Sequence, residues 1–198
     1  MRKGFSLVEM LVVIGILAIL IGMGMNTFSG ATRKAQQARA QALVSDVATA
    51  LESILIKEGS FPGKILSAGE TGHEMDENMA YELAKRKAMS LDYEGTRTVG
   101  IDCCGVVSPW AQDVIKRKKD ANSGTAVPSG GTVGSHRVRF AVDVDGDGYI
   151  NLPIVGGRIR AVAAAWCCGR DGNDTYSYSE GVRHGCSYSW SRKQVENQ

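Results

Sequence analysis

The strongest constraint on this chain lies near its amino end, where Phe5 to Met25 is a run of 21 residues, 16 of them apolar. The exceptions are Ser6, Glu9, Gly15, Gly22 and Gly24. A helix rises about 1.5 Å per residue, so a run of this length covers roughly 31 Å, close to one hydrocarbon core. A cleaved secretory signal has a shorter apolar region, of about 7–15 residues, with a small-residue cleavage site after it. No such site follows here. Residues 5–25 are therefore expected to form a single membrane-spanning helix. Arg2 and Lys3 are expected to hold the amino end on the cytoplasmic side, leaving the rest of the chain opposite.

Glu9 breaks the simple anchor. A charged side chain inside an apolar span costs at least about 2.5–3.5 kcal/mol, so it demands a partner or a purpose. No Lys or Arg lies between Phe5 and Met25 to supply one. A cut between Gly4 and Phe5 would create an amine with an ordinary pKa near about 7.7–8.0, cationic and able to pair with the Glu9 carboxylate.

The stretch Gly4-Phe5-Ser6-Leu7-Val8-Glu9-Met10-Leu11 resembles the class III signal of type IV pilins and type II secretion pseudopilins. The resemblance implies that a membrane prepilin peptidase cuts after Gly4 and methylates Phe5. It implies too that Glu9 pairs with the amino terminus of a neighbouring subunit during filament assembly. Loss of residues 1–4 removes Arg2 and Lys3, bringing the formal side-chain charge from +2 to zero. A neutral subunit packs into a polymer without strong self-repulsion.

Four segments follow from this reading: a leader at 1–4, a transmembrane half-helix at 5–25, an amphipathic half-helix at 26–58 and a globular head at 59–198. Within the second half-helix Ala40, Leu43, Val47, Leu51, Ile54 and Leu55 recur at three- and four-residue steps, one apolar stripe for packing on the head. Gly59 and Pro62 stop it. Residues 64–75 read as loop, and Asp76 to Met89 as a helix capped by Asp76. The run Lys85-Arg86-Lys87 reads as solvated surface. Arg137 to Asp143 alternates as a strand buried on one face, with further strands at Arg158 to Trp166 and Ser187 to Trp190. Residues 120–135 read as a long Gly/Ser-rich loop. The expected class is α+β, a pilin-like fold in which the long helix packs on a small antiparallel sheet.

Three further landmarks favour the pseudopilin branch. Ser108-Pro109-Trp110 resembles an Asp-Pro-Trp-Gly segment of major pseudopilins, Gly169-Arg170-Asp171-Gly172 their Gly-Pro-Asp-Gly turn, and Ser189-Trp190 the Ser-Trp that closes the domain.

Candidate chemistry lies in two acidic loops and five cysteines. Asp143, Asp145 and Asp147, followed by Gly148, match the first half of a calcium loop, in which carboxylates at alternate positions converge on one hard cation. Position 12 of such a loop would be Ile154 in place of the usual bidentate Glu, and a turn between strands is the competing reading. Asp171, Asn173 and Asp174 form the second cluster, at the place where the resemblance implies a calcium loop. Beyond calcium no cofactor is expected. Cys103, Cys104, Cys167, Cys168 and Cys186 would all be exported to a compartment where disulfides persist. Their connectivity is open, and the odd count leaves at least one thiol over. A zinc site with His184 is the alternative, but adjacent cysteines lack the usual spacing.

The near-neutral charge excludes a dedicated nucleic-acid binder, and 43% hydrophobic residues exclude a disordered chain. The expectation is a structural protein, not an enzyme: an inner-membrane subunit with a periplasmic head that polymerises with itself and with minor pseudopilins. The resemblance supplies the remaining partners, an assembly platform and a cytoplasmic ATPase that extrude the filament and drive protein secretion across the outer membrane. A type IV pilus subunit for adhesion, motility or DNA uptake is the alternative. A membrane-anchored enzyme is a third reading, without a Ser/His/Asp or Cys/His spacing to recommend it.

Overall fold

The computed structural model describes residues 7–67, 69–89, 106–111, 136–173 and 177–196, with the side chains of residues 21–29 and 77 left aside. The chain divides into two compact units, Met1–Gln36 and Gln37–Gln198. Helix α1, Leu7–Glu58, is 52 residues long. Nothing in it interrupts the backbone, since the first proline of the chain is Pro62.

In the first unit the side chains from Leu7 to Leu20 are exposed all round the helix, Leu7 at 82% and Ile14 at 64%. Among the described residues no helix is long and apolar enough to cross a membrane. The expected span at 5–25 begins before these residues. The side chains described within it, Leu7 to Leu20, cover fewer than the roughly 20 residues a crossing needs.

In the second unit α1 becomes one-sided. Ala40, Val44, Val47, Leu51 and Ile54 are buried along one stripe, and the helix ends at Gly59, whose φ is +75° and whose N–H reaches Leu55 O at 2.8 Å. The segment expected as loop instead holds a turn of helix, α2 (Gly63–Leu66), and a short strand, β1 (His73–Glu74). Buried Ile65 holds α2 to the core. Helix α3 (Glu77–Lys85) is capped as expected, Asp76 Oδ1 accepting the Met79 N–H at 2.9 Å, but it stops short of Met89. Arg86 is not simple solvated surface. Its Nε meets Glu58 Oε1 at 2.8 Å and its guanidinium bonds Glu82, while Lys64 Nζ lies 3.3 Å from Glu82 Oε1. The ends of α1, α2 and α3 are tied there, and the Arg86 bond holds the Glu82 carboxyl below its usual range.

The expected single sheet is two antiparallel sheets among the described residues. The first has the order β1–β2–β5–β6, with β2 at Arg139–Val142, β5 at Ala163–Cys167 and β6 at Ser187–Tyr188. The second pairs β3 (Tyr149–Leu152) with β4 (Gly157–Arg160), and β4 with β7 (Val195–Glu196). The segment expected as one strand at 158–166 is thus divided between sheets. Arg158-Ile159-Arg160 alternates, as a half-buried strand must, whereas Ala161 to Cys168 is a continuous apolar run suited to burial on both faces.

Burial on both faces also corrects the reading of residues 137–143. Phe140 and Val142, with Ala163, Ala165 and Cys167, pack beneath α1 and α3. Ala141, on the opposite face, joins Ala164, Trp166, Ile150 and Ile159 in a second core between the sheets. A short helix, α4 (Tyr178–Arg183), precedes β6, and Tyr178 and Tyr188 meet edge to face at 4.8 Å over this second core.

Candidate functional site

Gly4 and Phe5 lie outside the described residues. Glu9 lies in α1, near the start of its described residues. It is exposed, and Val8, Met10, Leu11 and Val12 around it are exposed apolar groups. An acid is thereby presented on a surface that is otherwise hydrocarbon.

The first acidic loop is built at the exit of β2. Asp143 follows the buried Val142 and is itself only 7% exposed. Its Oδ1 accepts the Gly146 N–H at 2.7 Å and its Oδ2 the Gly148 N–H at 2.8 Å, folding the loop around the carboxylate. Gly146 and Gly148 take φ of +78° and +84°, a region L side chains rarely adopt. Asp145, Asp143 and Glu70 each bring a carboxylate oxygen within 4.8 Å of the others. Glu70 is the residue that spacing did not reveal. Val142 N donates to Gly69 O at 3.3 Å, and Asn151 Nδ2 donates to Glu70 Oε2 at 2.9 Å, which fixes Glu70 beside the loop from a distant part of the chain. Asp147 is not in this trio, its Oδ1 accepting the Tyr149 N–H at 2.7 Å. Each carboxylate oxygen carries lone pairs beyond those used by N–H donors, so Glu70, Asp143 and Asp145 could still hold a hard cation.

The second acidic cluster has a different neighbour. Asp171 Oδ2 lies 3.6 Å from His184 Nδ1, and Asp171 Oδ1 accepts the Asn173 N–H at 3.3 Å. Asp174 lies outside the described residues.

Cys103 and Cys104 also lie outside them. Cys167, Cys168 and Cys186 are buried and, among the described residues, form no disulfide. Cys167 faces the core under α1, and burial raises its thiol to about 12. Cys168 and Cys186 face the second core. Cys168 Sγ lies 3.6 Å from His136 Nδ1, a thiol–imidazole contact 3% and 1% exposed and so closed to a substrate. Burial also lowers the His136 pKa, partly opposed by the Asp171 charge.

The remaining landmarks occupy structural positions. Ser108 N donates to His136 O at 2.9 Å and Trp110 is buried. Gly172 N closes a turn on Gly169 O at 3.2 Å. Ser189 doubles the ladder to β5: its N–H donates to Ala165 O at 2.8 Å and its Oγ accepts the Ala165 N–H at 2.9 Å. Trp190 then meets Trp166 edge to face at 5.8 Å.

Comparison with known protein families places the functional signal at the amino end. Residues 1–25 match the prokaryotic N-terminal methylation motif. The match covers that amino-terminal segment of the 198-residue chain. No solved structure matches the chain.

Proposed function

We propose that this chain is a structural subunit of a type II secretion pseudopilus. It enters the inner membrane as a single-pass protein, amino end cytoplasmic and head periplasmic. Prepilin peptidase cuts after Gly4 and methylates Phe5. The subunit then polymerises with itself and with minor pseudopilins, extruded by a membrane platform and a cytoplasmic ATPase. No catalytic residue is assigned.

The observation that carries this reading is Glu9, an acid set among exposed apolar side chains within a methylation motif. Apolar surface that surrounds a helix on every side needs lipid or other helices to cover it. Inside such a bundle the low dielectric strengthens attraction between the Glu9 carboxylate and a neighbour's Phe5 amine, which sets the axial register of the filament. The positions of Trp110, Ser189 and Trp190 support the secretion branch, since the segments that resemble major pseudopilins hold the head together. We also propose that calcium is held by Glu70, Asp143 and Asp145.

Deletion of the gene and complementation tests the branch. Exported proteins should accumulate in the periplasm and disappear from the medium, while surface pili and motility are unchanged. Lost pili with intact secretion would reject the pseudopilus in favour of the pilus.

A further inference from the structure

The ladder between β5 and β6 constrains more than the two pairs it contains. Trp166 faces Tyr188 and Cys167 faces Ser187, so the next antiparallel position sets Cys168 opposite Cys186. The hydrogen bonds of Ala165 with Ser189 make that couple a hydrogen-bonded pair. Bonded and non-bonded pairs alternate along an antiparallel ladder, so Cys168 and Cys186 fall on a non-bonded one. There the Cα atoms stand about 4.5 Å apart and the side chains are closest. That separation lies within the disulfide range of about 4.4–6.8 Å. The Cys186 N–H agrees with this assignment, turning away to Gly181 O at 2.8 Å.

Face alternation leads to the same couple. Cys168 and Cys186 both lie in the core between the sheets, whereas Cys167 belongs to the core under α1. The backbones close tightly just beyond. Gly169 N–H donates to Cys186 Sγ at 3.2 Å, and a Cβ on Gly169 would collide with the His184 carbonyl oxygen.

From this geometry we propose that Cys168 and Cys186 form an intrachain disulfide, which closes a loop containing α4. The two thiols lose two protons and two electrons as the S–S bond forms, and a thiol–disulfide oxidant takes them up, its own disulfide reduced to two thiols. Burial pushes the Cys186 thiol up, which keeps its thiolate scarce in the folded, reduced protein. The pairing follows from the ladder alone and does not depend on the pseudopilus reading; export decides only whether the cell supplies the oxidant.

The full-length protein, solubilised in detergent and refolded with oxidised glutathione, is alkylated without reductant, digested with trypsin and mapped by mass spectrometry. The peptide 161–170 should be joined to the peptide 184–192, lighter by two hydrogen atoms than the pair of thiol peptides. Cys167→Ser should keep the cross-link and Cys168→Ser should abolish it. Alkylated Cys168 and Cys186 in the wild type, or a cross-link from either to Cys103, Cys104 or Cys167, would overturn the assignment. If Cys168→Ser fails to fold, the map of Cys167→Ser still decides, because Cys168 is then the single cysteine of its peptide. The same map on protein taken directly from cells reports on export separately.

Discussion

At the scale of single residues, two titratable groups carry the sharpest consequences. Glu9→Ala should leave membrane insertion intact. Under the proposed pairing, its incorporation into sheared filaments should fall about tenfold or more, because removing one member of a buried pair leaves the other uncompensated at about 3–5 kcal/mol. Normal incorporation of that variant would dismiss the pairing. His136 acts within the head. Its buried imidazole has a pKa below that of the unfolded chain, so the unfolded state binds a proton more readily. The stability contributed by keeping His136 neutral is complete above about pH 6.5 and declines as the pH falls below it. Melting temperatures at pH 7.5 and 5.5 should show this decline, and His136→Gln should flatten it. An equal decline in the variant would assign it to another group.

At the scale of elements, α1 performs two tasks along one uninterrupted backbone. Up to Leu20 its described side chains are exposed and, Glu9 apart, without a charged group, and from Ala40 it presents a buried stripe. The stripe meets the face of the first sheet that carries Phe140, Val142 and Ala165. Leu51 is fully buried there, so Leu51→Ala should destabilise the head by about 2–5 kcal/mol, measured by denaturant unfolding of the detergent-solubilised protein. A loss below about 1 kcal/mol would mean that the stripe is not closely packed. The alanines of β5 belong to the same logic. They are small on both faces, which lets α1 approach from one side and the second sheet from the other.

At the scale of the whole molecule, segments far apart in sequence meet in the acidic loop. Glu70 comes from between α2 and β1, and Asp143 and Asp145 from the link between β2 and β3. Calcium should raise the melting temperature of the full-length solubilised protein and release heat in calorimetry, and a chelator should reverse both. Glu70→Gln should weaken the response as Asp145→Asn does. If Glu70→Gln binds calcium like the wild type, the ion does not use this trio, and no response in the wild type would remove calcium altogether.

Some of this was legible in the chain alone, for local reasons. The methylation motif is contiguous, α1 follows from its helix formers and the absence of proline, and its end at Gly59 and the Asp76 cap are short-range signals. The α+β class followed from the change of periodicity beyond α1. The division into two sheets did not, because strand pairing joins residues far apart and leaves no spacing to read. Burial of Ala141 on the second face, the place of Glu70 beside Asp143, the anchoring of Arg86 and the opposition of Cys168 to Cys186 were likewise decided by tertiary structure. Each depends on which segment lies across from which: strand register decides it for Ala141 and the cysteines, and contacts between distant segments for Glu70 and Arg86.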